Sequence, residues 1–186
     1  IEMAVWGMQK GHDYLGPAYA FGARAYGDDP RAKAEIETIN RKLYDHSDPE
    51  INKLYAEGRQ GSLNHFEALY RRLGTKFVHY FFESEMGPRG IEVVRKHPEI
   101  FENSDGAIVF KGEQYGLHTR VFVTKQGLPT YEAKELGLNQ EKFARYHPDL
   151  SIIVTGNEIT EYFRVLLKVM KLTMPEVASR TRHIPH

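Results

Sequence analysis

The chain has 186 residues, with 25 Lys plus Arg set against 25 Asp plus Glu, and no cysteine. Its length suits one substantial core, a single domain over 1–186, while the charge balance gives no global field toward nucleic acid or an anionic membrane. The lack of cysteine excludes disulfides and thiolate metal sites and favours a reducing, cytoplasmic setting, and no apolar run approaches the roughly 20 residues that span a bilayer, so a soluble protein without a membrane partner is expected.

Residues 1–27 are rich in glycine and small residues, with Trp6, Tyr14, Tyr19 and Phe21 between them, which predicts short helical pieces. From 31 to 72 apolar residues recur at helical spacing: Ile36, Ile39 and Leu43, then Ile51, Leu54 and Tyr55, then Leu63, Phe66, Leu69 and Tyr70. This predicts a helical insertion of three helices, broken near Asp48-Pro49 and near Gly58 to Gly61. The aromatic and β-branched run Phe77-Val78-His79-Tyr80-Phe81-Phe82 predicts a buried strand, and Met86-Gly87-Pro88-Arg89-Gly90 a turn followed by a short helix over 89–97.

Ala107-Ile108-Val109-Phe110 and Arg120-Val121-Phe122-Val123 predict two antiparallel strands. Thr130 can cap a helix over 131–136 that Gly137 interrupts, and Asn139 can cap another over 140–146. Ser151-Ile152-Ile153-Val154-Thr155 suits a strand of a parallel sheet covered on both faces, followed by a helix over about 158–172. Helices and strands alternate, with extra helices inserted, which places the chain in the α/β class. A first residue other than methionine, and an end at Arg182-His183-Ile184-Pro185-His186 with neither stop signal nor polar tail, suggest a piece of a longer chain.

The sharpest chemical feature is the pair Tyr131 and Glu135. Four residues apart, they share one face of a helix one turn apart and present a hydroxyl and a carboxylate together. A carboxylate accepts two parallel N–H bonds from the planar guanidinium fork, a geometry that an ammonium cannot reproduce. The plain alternative is a solvated surface helix. Asn157 and Glu158 stand at the carboxyl end of a predicted strand, where ligands of open parallel sheets collect; there the alternative is a helix cap. His183 and His186 do not make a metal site, because Pro185 lies between them and no further ligand follows. The glycine pairs at 87 and 90 and at 112 and 116 lack the residues of a phosphate loop.

Three segments, taken in order, resemble the catalytic domain of arginyl-tRNA synthetases. They are Leu73-Gly74-Thr75-Lys76 through Phe81-Phe82-Glu83-Ser84-Glu85; Ser104-Asp105-Gly106-Ala107-Ile108-Val109-Phe110 with Leu128-Pro129-Thr130-Tyr131 to Gly137; and Tyr146-His147-Pro148-Asp149 through Thr155-Gly156-Asn157-Glu158. Ala4-Val5-Trp6-Gly7 is similar to the family sequence just downstream of its first ATP signature. The resemblance implies part of a class I Rossmann-type nucleotide-binding domain, with inserted helices and a β-hairpin. It implies an arginine–tRNA ligase that uses ATP and Mg²⁺ to activate arginine and passes it to tRNA-Arg.

By the same resemblance Tyr131 and Glu135 grip the substrate guanidinium, although most members carry aspartate where this chain has Glu135. A substrate-contacting glutamine of many members falls on Glu158 or Ile159, which keeps Asn157 and Glu158 as pocket candidates for arginine. The glycine-containing ATP signature of the family belongs upstream of Ile1. His183-Ile184-Pro185-His186 stands instead where the family has a strand before its Lys-Met-Ser-Lys-Ser loop, so that the backbone of His183 and Ile184 would lie near the adenine. That loop is not in the sequence, nor are the family's tRNA-contacting and anticodon-binding domains, which implies a stretch that supplies the amino-acid pocket without reacting alone. The other function class is a catalytically dead relative that binds a nucleotide or a protein partner.

Overall fold

A computed structural model describes residues 15–186. The chain divides into two compact units, Ile1–Val78 and His79–His186. Trp6, Tyr14 and the Ala4-Val5-Trp6-Gly7 segment lie outside the described residues.

In the first unit, helix α1 (Leu15–Asp28) is followed by α2 (Pro30–Asp45) and α3 (Pro49–Arg72). Both later helices start in the same way: an aspartate in extended conformation, Asp29 or Asp48, accepts backbone N–H groups of the first turn, and a proline takes the first helical position, where no N–H is needed. His46 ends α2 in the left-handed conformation, and Lys42 reaches across the turn to Asp48 at 2.9 Å. The break predicted at Asp48-Pro49 is therefore present. The second predicted break, at Gly58 to Gly61, is not: α3 runs unbroken for 24 residues. Side-chain pairs at helical spacing span the glycines, with Arg59 over the Tyr55 ring and Gln60 donating to Asn64.

The 77–82 segment forms no strand and bends at Val78, and Phe77, Val78 and Tyr80 are exposed. Its rings are accommodated one at a time instead of in a ladder. Phe77 packs edge-on against Tyr70 of the first unit, and in the second unit His79 stacks on Tyr146 while Phe81 meets the same ring edge-on.

The second unit opens on α4 (Glu83–Lys96), which begins well before the predicted 89–97 helix and contains the supposed turn. A three-stranded antiparallel sheet follows, β1 (Glu102–Ser104), β2 (Ala107–Phe110) and β3 (Arg120–Val123), in sequential order. It contains the predicted strand pair, with Ile108 opposite Val123 and a register shift next to it. Helix α5 (Tyr131–Tyr146) is continuous through Gly137, where an interruption was predicted. Its proposed caps do other work: the Thr130 hydroxyl donates to the Val121 and Phe122 carbonyls of β3, and Asn139 is fully buried in mid-helix.

Strand β4 (Ser151–Thr155) pairs in parallel with β5 (Thr181–Pro185), from Ser151 opposite Thr181 to Thr155 opposite Pro185. Helices α6 (Thr160–Thr173) and α7 (Pro175–Ser179) connect them. One face of β4 turns Ile153 toward the helices, whereas Ile152 and Val154, 53% and 61% exposed, leave the other face open in place of the predicted double cover. The core of this unit gathers Val93 and Val94 of α4, Phe110 and Phe122 of the antiparallel sheet, Leu136 of α5, and Val165, Leu166, Val169 and Met170 of α6. Among the described residues no helix is long and apolar enough to cross a membrane. The whole is an α/β arrangement of small antiparallel and parallel sheets with helices packed on them.

Candidate functional site

Helices α4 and α5 cross with their backbones nearly touching. A Cβ placed on Gly90 would fall against the Ala133 carbonyl, and one on Gly137 against the Met86 carbonyl. This close crossing sets the first turn of α5 beside the start of α4. There the two helices, with the carboxyl end of β4 and the start of α6, enclose a cavity of about 380 Å³.

Phe81, Met86, Leu138, Ile153, Ile159 and Phe163 give the cavity its apolar wall. Its polar groups are Glu83, Tyr131, Lys134, Glu135, Thr155 and Tyr162. Tyr131 and Glu135 thus border one cavity, as their spacing on a single helix predicts. Tyr131 stands at the mouth, 67% exposed, with the Lys134 ammonium 5.1 Å from its ring centroid. Lys134 also pairs with Glu83 at 2.8 Å, tying α5 to the first turn of α4.

The carboxylates around the cavity differ in how they are neutralised. Glu83 has Lys134, and Glu132, almost fully buried, has Arg120 at 3.7 Å. Glu135 has no cation within ion-pair distance among the described residues; its nearest polar partner is the Asn139 amide, at 3.4 Å from Oε2. Burial pushes the Glu135 carboxyl above the ordinary carboxylate range and Glu83 adds to this, while Lys142 and the Asn139 hydrogen bond act in the opposite sense. Lys142 is itself shifted down by burial, only partly offset by Glu135. Asn139 donates more firmly to the Glu135 carbonyl, at 2.9 Å, and its Oδ1 is buried without a partner.

The strand-end candidates fall outside this wall. Asn157 and Glu158 are exposed, and the Glu158 carboxylate folds back over Gly156, where it would collide with any Cβ on that residue. The neighbouring Ile159 lines the cavity instead. The His183 imidazole lies behind the wall, stacked on Phe163 at 4.1 Å between centroids and 2.7 Å from the Thr155 hydroxyl. The Thr155 hydroxyl also lies 3.1 Å from the Gly156 carbonyl oxygen. Ile184, the other β5 candidate, is 47% exposed.

No family model matches the chain. Among curated proteins, an arginine–tRNA ligase of Levilactobacillus brevis is 29% identical over 158 residues, covering 82% of this chain and 28% of that protein. One of Pediococcus pentosaceus is 26% identical over 188 residues, covering 97% and 33%. Among solved structures, the arginyl-tRNA synthetase of Plasmodium falciparum superposes with a TM-score of 0.69 at 18% identity, over 83% of this chain and 28% of that one. This chain is a homologue of the arginine–tRNA ligases. A putative arginyl-tRNA synthetase of Campylobacter jejuni has the same fold over 83% of the chain, with a TM-score of 0.60 at 19% identity. The chain spans about a third or less of the length of these curated ligases.

Compared with the aspartate that the resemblance to arginyl-tRNA synthetases implies, Glu135 has one more methylene, and in this chain its carboxylate extends to Asn139. Of the two positions left open for a contact after β4, Ile159 and not Glu158 faces the cavity, and its side chain offers no hydrogen bond. Glu83, Lys134, Asn139 and Tyr162 were not singled out from sequence as site residues. They come from a helix start, a salt bridge and a buried amide whose neighbours are fixed only by the fold.

Proposed function

We propose that this chain supplies the arginine side-chain pocket of an arginine–tRNA ligase. One observation carries the reading: Glu135 is a partly buried carboxylate, without an ion-pair partner among the described residues, one helical turn from Tyr131 in a largely apolar cavity. Such a group is costly until a cation arrives, and a planar guanidinium can return two parallel hydrogen bonds to it. The apolar wall fits the aliphatic stem of arginine, and the Tyr131 hydroxyl at the mouth orients the fork. The names of the relatives support this assignment.

In the reaction of such a ligase the arginine carboxylate attacks the α-phosphate of ATP and displaces pyrophosphate, and the arginyl group of the resulting adenylate then passes to a hydroxyl at the 3′ end of tRNA-Arg with release of AMP. Holding the side chain in the cavity fixes where the carboxylate lies, and that positioning is the contribution of these residues. The parallel pair β4 and β5 would belong to the Rossmann-type sheet of the ligase, with the backbone of His183 and Ile184 beside the adenine. Asn157 and Glu158, exposed at the end of β4, would contact substrate only outside the side-chain cavity.

Calorimetric titration of the 186-residue chain with arginine, lysine and citrulline tests the reading. Arginine should bind best, and both competitors should be weaker by about 2 kcal/mol or more, because each leaves the carboxylate imperfectly paired. Equal affinities for arginine and citrulline would rule it out.

A further inference from the structure

Tyr162 is the third residue of α6 and sits next to Phe163, and both rings line the cavity. Tyr162 is half-buried, and its ring packs edge-on against Phe163 with 5.0 Å between centroids. Its hydroxyl has no hydrogen-bond partner among the described residues. That hydroxyl is not sealed from solvent, so a ligand entering the cavity can reach it. The cavity in front of it is bordered by Tyr131 and by Glu135, whose carboxylate has no ion-pair partner among the described residues.

The surroundings also fix the state of the phenol. Burial and then the carboxylates of Glu135, Glu132 and Glu83 oppose its ionisation, and Arg120 offsets them only in part. Tyr162 therefore remains a neutral phenol, whose oxygen can accept one hydrogen bond while its proton is still available to an acceptor. The residue one turn earlier on the same wall, Ile159, has no polar atom in its side chain, so Tyr162 is the polar group that α6 brings to the cavity.

We infer that Tyr162 is a ligand-contacting residue of this pocket, its phenol oxygen accepting a guanidinium N–H alongside the Glu135 carboxylate. The inference rests on the arginine reading above. A guanidinium carries five N–H donors, and a carboxylate accepting two of them leaves others to be satisfied inside the cavity. Acceptors on both α5 and α6 then hold the fork from two sides, a restraint that a single-helix site would lack.

The variant Tyr162→Phe keeps the ring and its contact with Phe163 and removes only the hydroxyl. Arginine titrations of the unaltered chain and of Tyr162→Phe, with the ligand-free melting temperature of each, test the assignment. The expected result is an affinity for arginine lowered about tenfold at an unchanged melting temperature. Equal affinities would overturn the inference while leaving the arginine pocket in place. A loss of affinity that accompanies a clear fall in melting temperature would assign the hydroxyl to the fold and also overturn it. Failure of the unaltered chain to bind arginine would remove the pocket reading itself, and this inference with it.

Discussion

Replacing Glu135 with glutamine will weaken arginine binding about a hundredfold, because a charge-assisted hydrogen bond contributes roughly 1.5–3 kcal/mol and a neutral amide cannot return it. The variant is nearly isosteric, so the cavity keeps its shape and only the charge is lost. The effect will also depend on pH in a stated direction. In the free protein the Glu135 carboxyl is held above its ordinary value of 4.5 by burial and by Glu83, against Lys142 and the Asn139 amide. A bound guanidinium favours the carboxylate, so binding releases a proton wherever the free protein holds one. Arginine affinity of the unaltered chain will therefore rise as pH climbs out of the ordinary carboxylate range through the raised value, and in Glu135→Gln that rise will be lost.

Stability moves the other way. A carboxyl raised on folding binds its proton more tightly in the folded state, so stability falls as pH climbs from the ordinary carboxylate range through the raised value. The glutamine variant will lack that fall and will melt no lower than the parent at pH 8. Equal arginine affinity in the two proteins, measured by titration at pH 8, would sink the assignment of Glu135.

What could be seen in the sequence was whatever depends on neighbours along the chain. Tyr131 and Glu135 are four residues apart on one helix, so their common edge of the cavity follows from helical geometry alone. The pairing of 107–110 with 120–123 and the strand at 151–155 are likewise local patterns of apolar and β-branched residues, and both are present. What could not be seen depends on distant backbone. Gly87, Gly90 and Gly137 read as turns and breaks because glycine usually marks them, yet here they are helical residues, and Gly90 and Gly137 let two helices approach. Aromatic density at 77–82 resembled a strand because strand propensity measures a fit to a half-buried surface. These rings found that surface on other rings, at Tyr70 and Tyr146. Tyr162 carries no signal in its neighbours along the chain, and its hydroxyl gains significance only from the cavity in front of it.

The helix crossing gives the largest expected change in stability. In Gly90→Ala the added methyl meets the carbonyl oxygen of Ala133, a backbone atom that cannot rotate away, so α4 and α5 must move apart. Overpacking of this kind costs roughly 3 kcal/mol, enough to lower the melting temperature by about 10 °C or more in a unit of this size. The separation would also shift Glu83 and Met86 on α4 relative to Tyr131, Lys134 and Glu135 on α5, the two sides of the cavity, so arginine binding should fall along with stability. Gly22, in α1, is the matched control. It too is a helical glycine, but a methyl there meets nothing within 4 Å. Gly22→Ala should stabilise the protein by about 0.5–1 kcal/mol through helix propensity and reduced freedom of the unfolded chain. Thermal unfolding of the two variants beside the parent decides the matter: opposite signs are expected, and two shifts of the same sign and size would mean that close backbone approach is not what Gly90 provides.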